Sequence, residues 1–68
     1  MEVFRQISKD GTTYRIVDDG NFFMHIYSIE YLQIYEDCEV WKPVYEPKNK
    51  LFTSLEECRN EFDKLILS

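Results

Sequence analysis

The residues that could do chemistry in this 68-residue chain are few. One histidine, His25, stands beside two cysteines, Cys38 and Cys58. A thiol nucleophile needs a nearby base, and His25 is the one imidazole that could serve. It falls inside an apolar run, and no local motif couples it to either thiol. A packed or partly exposed strand histidine explains it as well. The cysteines do not form Cys-x-x-Cys, and with a single histidine to add, a structural zinc site is short of ligands. Carboxylates come in adjacent pairs at Asp18–Asp19, Glu36–Asp37 and Glu56–Glu57. Acid–base catalysis needs two carboxylates in a cleft with separated pKa values, whereas neighbours in a turn or at a helix start are ordinarily solvated. None sits in a calcium-loop pattern. With only Gly11 and Gly20 there is no glycine-rich phosphate cradle. The expectation is a non-enzyme with no catalytic residues, no cofactor and no metal.

What remains is an interleaving of aromatic and acidic residues. Between Tyr27 and Glu46 lie Tyr31, Tyr35, Glu36, Asp37, Glu39 and Trp41. Tyrosine and tryptophan bring large contact area at modest entropic cost and are favoured interface anchors. Carboxylates around them steer a basic surface towards them. The plainer account is that Trp41 and some tyrosines fill the core while the acids keep the chain soluble. The net charge of −5 argues against direct nucleic-acid binding, which needs clustered Lys and Arg, and an anionic membrane would repel the chain. Single-strand binding on a Tyr/Phe sheet face has stacking groups but lacks the basic groove. The N-terminal "MEVFRQISKDG" has neither the basic nor the apolar region of a secretory signal, and no apolar run reaches the ~18 residues of a membrane span. The expected location is the cytoplasm, with both thiols reduced.

The elements that must position these groups are legible from the pattern. The length fits one small domain, residues 1–68, which buries about 60% of its unfolded surface. Glu2 to Ser8 reads as a first strand, with Val3 and Ile7 on one face. Asp10–Gly11 predicts a two-residue type I′ hairpin. Thr12 to Val17 is the second strand, with Tyr14 and Ile16 on one face. Asp18 to Asn21 is a turn in which Gly20 is expected to take the left-handed conformation. A third strand is expected from Phe22, apolar on both faces and hence central. Ser28 to Asp37 continues as a strand that bends near Gln33 to Asp37, with a short helix as the alternative. Pro43 makes Val40 to Tyr45 an edge strand or extended loop, and "EPKNK" is an exposed connection.

The last element is the clearest. In "LFTSLEECRNEFDKLILS", Ser54 with Glu57, or Thr53 with Glu56, forms a capping box. Leu55, Cys58, Phe62, Leu65 and Ile66 make one apolar face at helical spacing. The outer face carries Glu56, Glu57, Asn60, Glu61, Asp63 and Lys64, with Arg59 near its edge. Glu57 and Glu61 are a like-charge i,i+4 pair that weakens the helix slightly. The predicted fold is α+β: an antiparallel three- to four-stranded meander sheet covered by one C-terminal amphipathic helix.

This ending, "LFTSLEECRNEFDKLI" after a meander of strands with a tryptophan, resembles that of small phage-encoded host-takeover proteins, including some anti-CRISPR proteins, which are similar in size and acidity. The resemblance covers about a quarter of the chain and transfers no functional position. It implies a stoichiometric inhibitor in the host cytoplasm that places carboxylates where phosphates would lie on a basic, nucleic-acid-binding protein. Glu56, Glu57, Glu61 and Asp63 would form one acidic row, and Glu36, Asp37 and Glu39 another. The rival expectation is a plainer interaction module or a homodimer paired through the edge strand.

Overall fold

A computed structural model describes all 68 residues, Met1–Ser68. Four strands, β1 (Glu2–Ile7), β2 (Thr13–Asp18), β3 (Tyr27–Ile34) and β4 (Glu39–Pro43), form one antiparallel sheet in the order β1-β2-β3-β4. One helix, α1 (Leu55–Leu67), follows and packs against β2 and β3. The fold is therefore the α+β meander and helix that the sequence pattern requires. No helix is long and apolar enough to cross a membrane.

The β1–β2 connection departs from the expected type I′ turn. Gly11 has φ +88°, but no non-glycine residue, Asp10 included, has positive φ. The Gly11 N–H donates to the Ser8 carbonyl at 3.1 Å, and the Ser8 N–H to Thr12 at 2.9 Å. This is a three-residue loop, a tight turn closed by a left-handed glycine bulge. The Asp10 carboxylate accepts from the Ser8 hydroxyl and from the Thr12 N–H, which secures the turn without left-handed aspartate. Those bonds, the Ser8 hydroxyl first, hold the Asp10 carboxyl below its ordinary range.

The largest correction is at the start of β3. Phe22 to Ile26 lie outside the sheet, in a loop between Asp18 and Tyr27. Asp18 organises it: Oδ1 accepts from Gly20 N–H (2.9 Å) and Ile26 N–H (3.2 Å), and Oδ2 lies 2.7 Å from His25 Nδ1. Asn21 Oδ1 accepts from the N–H groups of Phe23 and Met24 at 2.8 and 3.1 Å. These side chains offer the backbone an alternative to the ladder, and they outweigh the β-propensity of "NFFMHI". Gly20 does not have positive φ. It is needed for space, because a Cβ there would stand 2.0 Å from the Met24 carbonyl oxygen.

From Tyr27 onward β3 is the central strand anticipated. Tyr27 and Ile29 face the helix, while Ser28 is buried on the opposite side. The strand runs to Ile34, and Tyr35 and Cys38 close a tight turn around Glu36 and Asp37 through reciprocal backbone bonds. β4 is the edge strand, with Pro43 at its last position.

Ser54 caps α1; its backbone is extended, and its Oγ accepts from the Glu57 N–H at 3.4 Å. Cys58, Phe62 and Ile66 are its buried residues and join Ile16, Tyr27, Ile29 and Phe52 in the core. Leu65 is half-buried against that core, and Leu55 stands exposed at the open end. Phe52 pairs with Tyr27 through two backbone bonds of 2.7 and 2.8 Å. That bridge sets the start of the helix at the Tyr27 end of the sheet.

Candidate functional site

The sheet has two distinct ends, joined by β3. At one end are the Asp18–Tyr27 loop, Phe52 and the helix N-terminus. At the other are the β1–β2 and β3–β4 turns. The eight residues of β3 separate these ends by roughly 25 Å.

This arrangement divides the candidate residues. Glu36, Asp37 and Glu39 lie together, exposed, on the β3–β4 turn. With Ile34, Tyr35 and Cys38 they line a shallow groove of about 220 Å³. None of the three carboxylates has a cation of this chain within ion-pair distance. Tyr35 is exposed beside them, with the Lys42 ammonium 5.6 Å from its ring centre. Tyr35 is the largest influence holding the Lys42 pKa above the ordinary value. Tyr31 pairs with Lys42 in the neighbouring strand and is half-buried on the helix side of the sheet.

Trp41 belongs to the other face. Opposite Leu32 in register, it lies beneath the guanidinium of Arg15, 4.0 Å from the ring centre, with Arg5 at 5.1 Å. Arg15 pairs with Glu30 at 2.8 Å, and Glu2 bridges Arg5 (2.6 Å) and Arg15 (3.6 Å). A bulge at Val3, between Glu2 and Phe4, places Glu2 beside Arg5. The Arg5 hydrogen bond holds the Glu2 carboxyl below its usual range. Two acids and two bases thus neutralise one another around Trp41, which makes it a packed element of a charge ladder.

The helix row also divides. Asp63 pairs with Arg59 at 3.0 Å, and Glu61 with Lys64 at 3.5 Å. Glu61 also accepts from the Tyr45 hydroxyl at 3.4 Å. Burial, then the Glu61 charge, raises the Tyr45 pKa. Glu61 therefore has a structural reason to stand four residues after Glu57. Glu56 and Glu57 remain exposed and unpaired at the helix start, where the dipole favours them. They are at the far end from Glu36–Glu39, so the two rows do not merge.

His25 belongs to the exposed loop rather than a strand, paired with Asp18 and stacked on Tyr27 at 5.8 Å. The hydrogen bond with His25 is the main cause of a lowered Asp18 pKa. Cys38 is exposed at the opposite end of the sheet, and Cys58 is fully buried with its thiol pushed up to about 11. Burial keeps Cys58 protonated and unreactive. No three His, Cys, Asp or Glu side chains converge on a common point.

One surface escaped the sequence reading. Phe22, Phe23 and Met24 are 95%, 91% and 56% exposed at the tip of the Asp18–Tyr27 loop. The cluster of turn formers at Asp18 to Asn21 was the signal. Strand alternation in the residues after it concealed it.

Comparison with family models, with curated proteins and with solved structures finds no match for this chain.

Proposed function

We propose that this chain is a small acidic, non-catalytic binding protein that acts by occupying a basic surface. In this reading it is a stoichiometric inhibitor of a nucleic-acid-binding protein, of the anti-CRISPR-like or other phage host-takeover kind, acting in the host cytoplasm. The observation that carries it is the β3–β4 turn, where Glu36, Asp37 and Glu39 are exposed and lack an internal cation. Elsewhere Glu2, Glu30, Glu61 and Asp63 are matched by Arg or Lys of the same chain. Three carboxylates within four residues, gathered on one tight turn, make a compact anionic cluster complementary to a phosphate-binding basic surface. The tight turn fixes them before binding, and Tyr35 supplies an aromatic contact beside them.

The test is a pull-down from bacterial lysate with the natural chain and with Glu36→Lys, Asp37→Lys, Glu39→Lys combined. The expected result is capture of a basic nucleic-acid-binding protein that weakens as salt rises from about 50 to 300 mM, is lost on charge reversal and is competed by that protein's own nucleic acid. Capture that ignores both salt and charge reversal, or no capture of any such protein, would refute the reading. The second reading, an interaction module or homodimer of other cellular role, is favoured by the exposed apolar tip at Phe22–Met24.

A further inference from the structure

The tip formed by Phe22, Phe23 and Met24 is presented rather than loose. Asn21 accepts from two of its N–H groups, and the Asn21 N–H donates to the Met24 carbonyl at 2.9 Å. The Phe22 and Phe23 rings meet edge-on, 5.4 Å apart. Asp18 anchors the base of the loop through Gly20, Ile26 and His25. An apolar protrusion fixed by this many bonds and left in water is a contact surface.

At the same end of the molecule is an apolar recess. Val3, Phe4, Ile16 and Leu55 line an open groove of about 500 Å³ between β1 and the helix start, with Glu56 and Arg59 at its rim. An apolar cavity of about 150 Å³ suffices for a benzene ring, so this groove has room for both phenyl rings. Arg59 at the rim is already paired with Asp63, so the fit of tip to groove rests on apolar contact.

We propose that the occupant of this groove is the Phe22–Met24 tip of a second copy of the chain, in a reciprocal two-fold dimer. The area agrees. The two exposed phenylalanines present roughly 300–450 Å². Two tips, with the groove walls they cover, bury roughly 1,200–1,800 Å², the size of a stable specific interface. Self-association also answers the thinness of the core, since ten of 68 residues are buried. Net negative charge disfavours the alternative of an anionic lipid surface. The dimer does not depend on the acidic turn, which lies at the other end of β3 and is left free at both poles.

Sedimentation velocity tests this with the natural chain and two variants. One carries Phe22→Asp and Phe23→Asp, the other Val3→Lys and Leu55→Lys. All four positions are exposed, and circular dichroism confirms that the variants fold. The expected result is a dimer for the natural chain, monomers for each variant alone, and partial recovery of dimer when the two variants are mixed, because one tip-in-groove contact is then intact. A natural chain that stays monomeric up to about 1 mM overturns the proposal. So does either variant dimerising like the natural chain, or a monomer whose tip instead binds phosphatidylcholine vesicles.

Discussion

Phe62 holds the helix on the sheet, and its truncation tests the packing directly. The ring is fully buried and meets Phe4 edge-on at 5.4 Å, while Arg59 lies 3.9 Å above the Phe4 ring. At about 0.05–0.15 kcal/mol per residue, a chain of this length is stable by about 3–10 kcal/mol. The small core places it towards the lower part of that range. Phe62→Ala removes about 3–5 kcal/mol, which is most of the total, so that variant should be largely unfolded at 37 °C. Phe62→Leu keeps most of the apolar volume and loses the ring pair, costing about 1–2 kcal/mol. In a domain of this size that lowers Tm by about 4–15 °C. Phe4→Leu alone and the double variant complete a cycle, with an expected coupling of about 0.5–1.5 kcal/mol. Urea melts followed by circular dichroism give these values. If Phe62→Ala melts within 3 °C of the natural chain, or the cycle shows no coupling, the helix does not cover the sheet as described.

Four further outcomes follow from the same contacts. Iodoacetamide at pH 8 should modify Cys38 quickly and leave Cys58 untouched until the chain unfolds, because burial pushes the Cys58 thiol to about 11; equal rates at both would contradict the core. Gly20→Ala should be more damaging in thermal melts than Gly11→Ala, since its Cβ meets the Met24 carbonyl at 2.0 Å whereas that of Gly11 meets only open space; Gly11→Ala costs about 1–2 kcal/mol through its positive φ. Glu2, Asp10 and Asp18 are depressed below ordinary values of 4.5, 3.8 and 3.8. The stability these groups contribute is therefore fully present above their unfolded values and is lost as pH falls through the lower folded ones. Asp18→Ala should flatten part of that acid limb and raise hydrogen exchange at the Gly20 and Ile26 amides; an unchanged limb and unchanged protection would remove Asp18 from its anchoring role.

The helix was legible because its signals agree: Ser54 before an acidic first turn, and Cys58, Phe62 and Ile66 at four-residue spacing. The strand order followed from short connections, and Pro43 correctly marked an edge. The "NFFMHI" segment departs from the expected strand because its composition favours β-structure while its backbone is claimed by Asp18 and Asn21, whose side-chain bonds leave no mark on periodicity. The need for Gly20 is hidden from the sequence likewise, since the close approach of the Met24 carbonyl exists only in three dimensions. Of the candidate site, Tyr35, Glu36, Asp37 and Glu39 stay together because they are neighbours on one turn. Trp41 separates from Tyr31 because adjacent register positions alternate faces. Glu61 and Asp63 separate from Glu56 and Glu57 because partners three or four residues away, Lys64 and Arg59, neutralise them.

The most direct test of the account is a titration of the captured partner, bound to its own nucleic acid, with increasing amounts of this chain. Occupancy by the acidic turn predicts displacement that reaches its endpoint at a fixed ratio near one chain per binding site, and that disappears when Glu36, Asp37 and Glu39 are changed to lysine. Loss of binding at far less than one chain per site, continuing with time, would mean turnover and contradict a non-catalytic inhibitor. Displacement that survives the charge reversal would contradict the site.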